Sequence, residues 1–442
     1  MPDPTPEQQA GLDWLMAQVE AGVPLLSLQG LAGTGKTTVI PHLLQRLRDK
    51  GYPVTLAAPT HRAAFVLKSK GLSEADSVHR AALMPYFTAE YAAAVLWLGG
   101  QAVTREGLYH LAEAMDDTHV PVLMARRLAE LGGKPTAAEL LRDSESYPAE
   151  AILASIGLRT TDYFDGFGPK LAMEGVLVVD EGSMVGLEML SMCQEVFDTI
   201  ILIGDPGQLP PVKDTPVLHT APAFHLTAIH RQAQDSPIVR LAYRVREGFP
   251  FWKAAVTAYG PAVQVAPSYP ARQALQSPLL VWKNTSRLES TRLIRATLGY
   301  PPDRPMPGEP LICRATDHAK RLAGFYNNAS FRVLATEGDD GRLMTLQDDL
   351  SADIVQAQAH LEEIDGANIP SWTIPFRFGY CLTAHTAQGG EWPQVAISLP
   401  DARSFVGMCW HTDRMEDVPR WGYTAMTRAK ERLILLTNHH FV

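Results

Sequence analysis

The 442-residue sequence predicts an α/β protein with two parallel sheets, each covered by helices, and two insertions of a different character. Three observations predict it. First, a short apolar run at 24–30 (PLLSLQG) opens into the glycine-rich loop GLAGTGKT at 30–37 and then into helical spacing at Val39, Ile40, Leu43, Leu44 and Leu47. Second, further apolar runs lie at 54–58, 176–180 and 199–204, and a second set at 279–282, 394–399 and 432–436, with helical or loop stretches between them. Continuous apolar runs of strand length, separated by helices, are the signature of parallel strands buried on both faces. Third, two stretches break the pattern. Residues 85–150 carry helical spacing, and 311–375 carry short alternating runs (FRVLATEG, GRLMTLQ) with Gly-Asp turns, which predict a small β-barrel.

Length and composition set the frame. At roughly 100 to 200 residues per domain the chain has room for two to four. Its 46% hydrophobic and 20% charged residues are globular values. No apolar run approaches the ~20 residues of a membrane span, so no membrane partner is expected. Met1 leads into Pro2, Asp3 and Pro4 with no basic and apolar leader. Cys193, Cys313, Cys381 and Cys409 are too scattered for a disulfide framework or a zinc ribbon, and a reducing cytoplasm is the expected compartment.

The net charge of −9 argues against a nucleic-acid partner until its distribution is considered. Between 337 and 365 stand nine acids against Arg342 alone, and the part from 347 to 365 is read as helical or loose, either a solvated face or one that repels DNA or meets a basic partner. Residues 283–304 hold Lys283, Arg287, Arg292, Arg295 and Arg304 against Glu289 and Asp303, which leaves a backbone-tracking groove open.

The loop at 30–37 is a complete G-x-x-x-x-G-K-[ST] pattern. Its chemistry needs these residue types. Glycines such as Gly33 and Gly35 let backbone N–H groups face phosphates, with Thr34 and Thr38 beside them; Lys36 brings a cation to the outer phosphates, and Thr37 a hydroxyl for Mg²⁺. The following helix adds its dipole, although Pro41 is expected to distort its first turns. A metal carboxylate belongs at the end of a second buried strand, and GVLVVDE at 175–181 supplies Asp180, with Glu181 beside it to orient and deprotonate water.

Further blocks follow in order: TPEQQA at 5–10, APTHRAA at 58–64, SVHR at 77–80, DEGSMV at 180–185, GDPGQLPPV at 204–212, LTAIHRQ at 226–232, WKN at 282–284, YCLTAHTAQGGEW at 380–392 and YTAMTRAKERL at 423–433. This series resembles the superfamily 1 helicases, and within them the 5′-to-3′ branch that includes phage Dda helicase and the RecD-like enzymes. The resemblance runs from about residue 5 to the C-terminus, with an interruption at 85–150 and a weak stretch at 335–372.

The resemblance implies two RecA-like motor domains, at 1–84 with 172–215 and at 216–310 with 375–442. It also implies an accessory insertion at 85–171 and an SH3-like barrel at 311–374. It implies that Gln8 reads the adenine of ATP, that Asp205 and Gln208 sense the γ-phosphate, and that Arg231 and Arg428 act as arginine fingers. Gly389 and Glu391 would lie near the ribose and phosphates. Pro59, Thr60, His61, Ser77 and His79 would grip single-stranded DNA from the first domain, and Thr383, His385 and Thr386 from the second. Asn284 and Arg287, with Arg295, form a further candidate grip; His61 and Trp282 are each read either as base-stacking or as ordinary structural side chains.

Three positions depart from the pattern: Thr386 where lysine is usual, Ala387 where serine is usual, and Gly182 where alanine or serine is common. In the insertion, 104–115, 121–131 and 136–142 have helical spacing, and Thr136 with Glu139 has the form of a capping box. Residues 157–171 are read as a hairpin turning at Asp165-Gly166, with Phe164 or Phe167 either a wedge against the duplex or packed on the motor domain.

The expected function is an ATP-dependent, Mg²⁺-requiring DNA helicase moving 5′ to 3′ as a monomer on single-stranded and forked DNA, with replication or recombination proteins as further partners. Two rivals are a single-strand translocase without strand separation and an inert DNA-binding subunit; the intact set Lys36, Asp180, Glu181, Gln208, Arg231 and Arg428 speaks against the latter.

Overall fold

The computed structural model describes residues 3–99, 120–147, 149–170, 175–211, 214–229, 235–253, 260–315, 325–349, 351–366, 368–370 and 372–442. Two compact units emerge, one of residues 1–82, 171–316 and 324–442, the other of 83–170 and 317–323.

The larger unit opens with a six-stranded parallel sheet. Its strands are β1 (Leu25–Gly30), β2 (Val54–Ala58) and β3 (Asp76–Ser77), then, after the smaller unit's β4 (Leu83–Phe87) and β5 (Phe164–Pro169), β6 (Val176–Val179), β7 (Thr199–Gly204) and β8 (Ala223–Leu226). Their order is β3-β2-β6-β7-β1-β8. The apolar runs are continuous because both faces are covered. Val176, Val178, Ile201 and Ile203 pack on one side with Leu43, Leu44 and Leu47 of the helix Lys36–Asp49. Leu177, Val179, Ile200 and Leu202 pack on the other, with Leu190 and Cys193 of the helix Leu187–Gln194. The helix Lys36–Asp49 continues through Pro41, whose ring nitrogen removes only the ladder bond to the Thr37 carbonyl.

A second parallel sheet contains β9 (Val263–Ala266), β10 (Leu279–Val281), β16 (Cys381–Thr383), β17 (Trp392–Ser398) and β18 (Ala429–Leu436), ordered β16-β10-β17-β18-β9. Two parallel sheets flanked by helices are the two RecA-like domains that the sequence predicts. Between β10 and β16 the chain builds the closed barrel of β11 (Pro310–Cys313), β12 (Ser330–Glu337), β13 (Leu343–Asp348), β14 (Ile354–Leu361) and β15 (Ile374–Phe378). Phe325, Phe331 and Phe376 fill it, their rings in mutual contact at 5.7 to 6.0 Å.

The barrel corrects the reading of the acidic stretch. Residues 354–361 are a strand, and the acids Glu362, Glu363 and Asp365 that follow it are paired with arginines, while Glu337, Asp339, Asp340 and Asp353 are exposed. Glu363 pairs with Arg287, Glu362 with Arg377, and Asp365 with Arg342 at 2.6 Å. Asp349 lies 3.7 Å from Arg332. Arg295 is held by Glu309 at 2.7 Å and lies over the Phe378 ring. Arg287 of the basic run and Glu362 and Glu363 of the acidic run, apart in sequence, neutralise each other across the joint between the helix Asn284–Thr297 and the barrel. A nucleic-acid groove built on Arg287 and Arg295 is therefore withdrawn: both guanidiniums are buried and committed to carboxylates. Trp282 is packing, half-buried against Phe405 at 5.2 Å.

The smaller unit has its own core of Tyr91, Leu98, Leu123, Met124 and Leu153, drawn from the helices Ala89–Leu98, Val122–Glu130 and Ala149–Ser155. The capping box is present: Glu139 N donates to Thr136 Oγ1 at 3.3 Å, and Thr136 N to Glu139 Oε2 at 2.7 Å. Residues 104–115 lie outside the described residues. The expected hairpin at 157–171 is corrected: β5 pairs antiparallel with β4, and Asp165-Gly166 sits inside the strand at a shift of register rather than at a turn. The extra residue of a bulge accommodates the same Asp-Gly that a tight turn would. The backbones of Phe164 and Phe167 fall opposite Phe87 and Pro85, but their side chains lie outside the description, and so does the wedge. Among the described residues no helix is long and apolar enough to cross a membrane.

Glu309 accepts from Arg295, from the Tyr380 hydroxyl at 2.8 Å and from Met306 N at 2.6 Å, while itself fully buried. Glu309→Ala strands the Arg295 charge, and a loss of about 3–5 kcal/mol is expected in urea unfolding. An unchanged unfolding midpoint would contradict this.

Candidate active site

The glycine-rich loop leaves the carboxyl end of β1, where a parallel sheet presents its ligand crevice. Gly33 and Gly35 take φ of 86° and 77°, the left-handed region that side chains disfavour. Gly30 is required for another reason: a Cβ there would lie 2.5 Å from Thr34 Oγ1. Lys36 Nζ donates to the carbonyls of Gly30 at 2.7 Å and Leu31 at 2.9 Å and stands 4.0 Å from Asp205. Gln8 is buried behind the loop. Its amide donates to Thr34 O at 3.2 Å, and its carbonyl accepts from Thr5 N as half of a capping box. Those bonds support the loop rather than face a base.

One cleft gathers most of the expected residues. Gly33, Gly35, Lys36, Thr37, Thr38, Asp180, Glu181, Asp205 and Gln208 line it from the first domain, and Glu391, Thr427 and Arg428 from the second. Asp180 follows β6 directly, and Glu181 comes next with φ of 54°, a strained conformation for a non-glycine residue. Burial first, and then the neighbouring Glu181 charge, push the Asp180 carboxyl up to about 6, against the pull of Lys36 and Lys70. Two acids held this close in a buried cleft fit a cation. Gln208 Oε1 is buried with no hydrogen-bond partner among the described residues.

Arg428, nearly buried, is aimed by three bonds: Nε to Thr424 O at 3.1 Å, and the terminal nitrogens to Gly390 O at 3.3 Å and Thr427 Oγ1 at 3.2 Å. Glu391 is paired with Lys430 at 2.9 Å. Burial opposes its ionisation, but Lys430, Lys70 and Arg428 together hold the carboxyl below its ordinary range. Arg231 lies outside the described residues.

Two tyrosines that the sequence did not single out tie the second domain to the loop. Tyr243 donates to Ala32 O at 2.7 Å. The Tyr423 hydroxyl accepts from Ala32 N at 2.7 Å and donates to Asp205 Oδ2 at 2.5 Å. Burial, then the Asp205 charge, push the Tyr423 hydroxyl well up, so it remains a donor. Tyr423 opens the YTAMTRAKERL block, five residues before Arg428; Tyr243 is one of a helix's ordinary half-buried positions and carried no signal.

The expected strand contacts divide. His385 and Thr386 line a second cleft with Met184, Met189, Pro211, Asp214 and Asn328. Thr383 caps the short helix Ala384–Ala387, accepting from Thr386 N at 3.3 Å. Pro59 is buried, and Thr60 caps the helix His61–Ser69 through Ala63 N at 3.2 Å. Tyr326, beside the barrel, stacks on His61 at 3.7 Å between ring centroids, so that face of the imidazole is taken. Ser77 is buried and accepts from Arg80 N; His79 is half-buried. Asn284 is exposed, apart from both clefts.

The raised Asp180 carboxyl has a thermodynamic consequence. It ionises in the folded state at about 6, against about 3.9 in an unfolded chain, so its charge costs stability above that range and the cost fades as pH falls through it. Asp180→Asn, which keeps the oxygen that accepts from Glu181 N, is expected to raise the melting temperature of the metal-free protein at about pH 8, by the equivalent of about 1–3 kcal/mol. The gain should close toward about pH 4. Equal melting temperatures at the higher pH would contradict the assignment.

Comparison with known proteins agrees with this geometry. Residues 16–214 match an AAA domain, and residues 378–436 match a UvrD-like helicase C-terminal domain. The ATP-dependent RecD2 DNA helicase of Deinococcus radiodurans is 30% identical over 285 residues, 58% of this chain; the chain spans only 35% of that relative's length. The structure of Bacteroides Pif1 bound to ssDNA superposes with a TM-score of 0.50 at 14% identity, covering 99% of this chain and 94% of that one, a likeness of fold. Pif1 helicase from Candida albicans gives 0.47 at 15% identity, covering 99% and 96%. The two domain matches follow one another along the chain in the order of the motifs, and together with the RecD2 relative they make it similar to superfamily 1 helicases of the 5′-to-3′ branch that includes the RecD-like enzymes.

Proposed function

We propose that this chain is an ATP-dependent DNA helicase that moves 5′ to 3′ along single-stranded DNA and separates duplex. The observation that carries the reading is the cleft in which Lys36, Thr37, Asp180, Glu181 and Gln208 from one RecA-like domain meet Arg428 from the other. The similar proteins, a DNA helicase and a Pif1 bound to ssDNA, supply DNA as the track. The resemblance to the 5′-to-3′ branch supplies the direction.

In this reading the loop amides and Lys36 bind the ATP phosphates. Glu181 accepts a proton from the attacking water, whose oxygen bonds to the γ-phosphorus as the bond to the β-phosphate oxygen breaks and leaves ADP. Gln208, with its buried acceptor in the cleft, orients that water. Arg428, with Arg231 as the expected second finger, offsets the charge on the transferring phosphoryl group. The Thr37 hydroxyl and the Asp180 carboxylate fit a Mg²⁺ ion, which would neutralise phosphate charge when bound. Adenine reading by Gln8 is not carried forward, because its amide is engaged with the loop. His385 and Thr386, which line the second cleft, are taken as strand contacts of the second domain, and Thr60 and His61 as the expected contacts of the first. The domain division is retained as the two motor domains, the insertion at 85–171 and the barrel at 311–374.

Lys36→Ala tests the reading. Single-strand binding should persist while DNA-stimulated ATP hydrolysis falls by at least about 100-fold, the scale of losing one transition-state contact. Hydrolysis within about twofold of wild type, far inside that range, would refute the phosphate site.

A further inference from the structure

Arg62 was not among the expected site residues, yet it stands where three parts of the larger unit meet. It follows Thr60 and His61 directly and opens the helix His61–Ser69. Its side chain is 7% exposed, and among the described residues it makes no side-chain hydrogen bond. Its guanidinium lies over the Trp392 ring, 4.4 Å from the centroid, at the start of β17 in the second domain. Asp348 and Asp349 of the barrel face it, and it shares a small cavity with Arg332, Asp349 and Glu391. Burial pulls the guanidinium down to about 10, the two aspartates opposing that pull, so it remains charged at neutral pH.

The loop under Arg62 is built for close approach. A Cβ on Gly389 would lie 3.0 Å from Ala63 Cβ and 3.3 Å from Thr60 Oγ1, and one on Gly390 would lie 2.8 Å from both Arg62 Nε and the Trp392 ring. The same short loop holds the finger. Trp392 N donates to Arg428 O at 2.9 Å, and Arg428 donates to Gly390 O. A continuous set of contacts therefore runs from Thr60 and His61 through Arg62 to Gly390 and Trp392, and on to Arg428 in the nucleotide cleft. Stacking on a ring face and charge attraction survive small sliding motions that would break a directional hydrogen bond.

We propose that Arg62 is a positioning residue that joins the strand-contact segment to the Arg428 finger through the Gly390–Trp392 loop, so that stimulation of hydrolysis by a bound strand passes through the Arg62–Trp392 stack. The proposal rests on the helicase reading above and adds the residue that transmits the signal within it.

The test is steady-state ATP hydrolysis by the full chain with and without oligothymidylate, for wild type, Arg62→Ala, Arg62→Lys and Trp392→Phe, with oligothymidylate affinity measured by anisotropy. Arg62→Ala should keep its basal rate and strand affinity while the ratio of stimulated to basal turnover falls at least about fivefold, the lower end of coupling between linked sites. Arg62→Lys, which keeps the charge and loses the plane, should fall between that variant and wild type. Trp392→Phe keeps a ring face and should retain most of the stimulation. A parallel fall of basal and stimulated rates, or an unchanged ratio in Arg62→Ala, would overturn the proposal. If Arg62→Ala does not fold, the ratio in Arg62→Lys decides: a wild-type ratio overturns the proposal and a reduced one at unchanged basal rate supports it. Wild type that shows no stimulation by DNA would instead contradict the helicase reading, and the coupling would fall with it.

Discussion

The phosphate loop is held from across the cleft. Both backbone polar groups of Ala32, in the middle of the loop, are bonded to tyrosine hydroxyls of the second domain, and one of those hydroxyls also binds Asp205 at the end of β7. Loop shape, the distance between the domains and the orientation of Asp205 are thus set by one small network. Leu209 N on the Thr424 hydroxyl and the Gln388 amide on Leu209 O extend it from the nucleotide side toward the strand side. A ligand that reshapes the loop must alter the contact between domains, which is the requirement for a motor driven by binding and hydrolysis.

A similar economy of contacts governs the joint between the second domain and the barrel. Arg287, Arg295, Arg332, Arg342 and Arg377 each meet an acid, and most of these pairs lie at least partly out of water. Buried ion pairs add little net stability against apolar packing, but losing one partner is costly, so they favour one arrangement of barrel on helix over its competitors. Tyr326 on His61 and the barrel acids facing Arg62 then place the barrel beside the expected strand contact of the first domain. In this account the insertion within the second domain is part of the motor's working surface.

Much of this was legible in the residues. The central strands announced themselves because burial on both faces demands unbroken apolar runs, as in β6 and β7. The loop and the Asp180-Glu181 pair were legible because phosphate chemistry restricts the residue types at fixed spacing, whereas Arg428 was expected only from the family resemblance. Edge strands were not: β3 is two residues long, and β9 exposes its central positions, so neither carries a periodic signal. Long-range pairing was hidden as well. The acidic run looked solvated because its partners Arg287 and Arg342 lie 76 and 23 residues from the acids they bind, and no local pattern encodes that meeting. Tyr243 and Arg62 escaped for the same reason, since their significance lies only in what the other domain brings to them. The Asp165-Gly166 turn failed because its best partner strand was β4, eighty residues upstream by about one domain's span, rather than its own flank.

Nucleotide hydrolysis in this cleft is proposed to drive directional motion on a single strand. Strand separation on partial duplexes bearing either a 5′ or a 3′ single-stranded tail, with ATP hydrolysis followed in the same samples, tests it most directly. The 5′-tailed duplex alone should be unwound, with hydrolysis stimulated by either tail. Unwinding from the 3′ tail alone would contradict the direction, and hydrolysis without separation of either substrate would contradict the helicase itself.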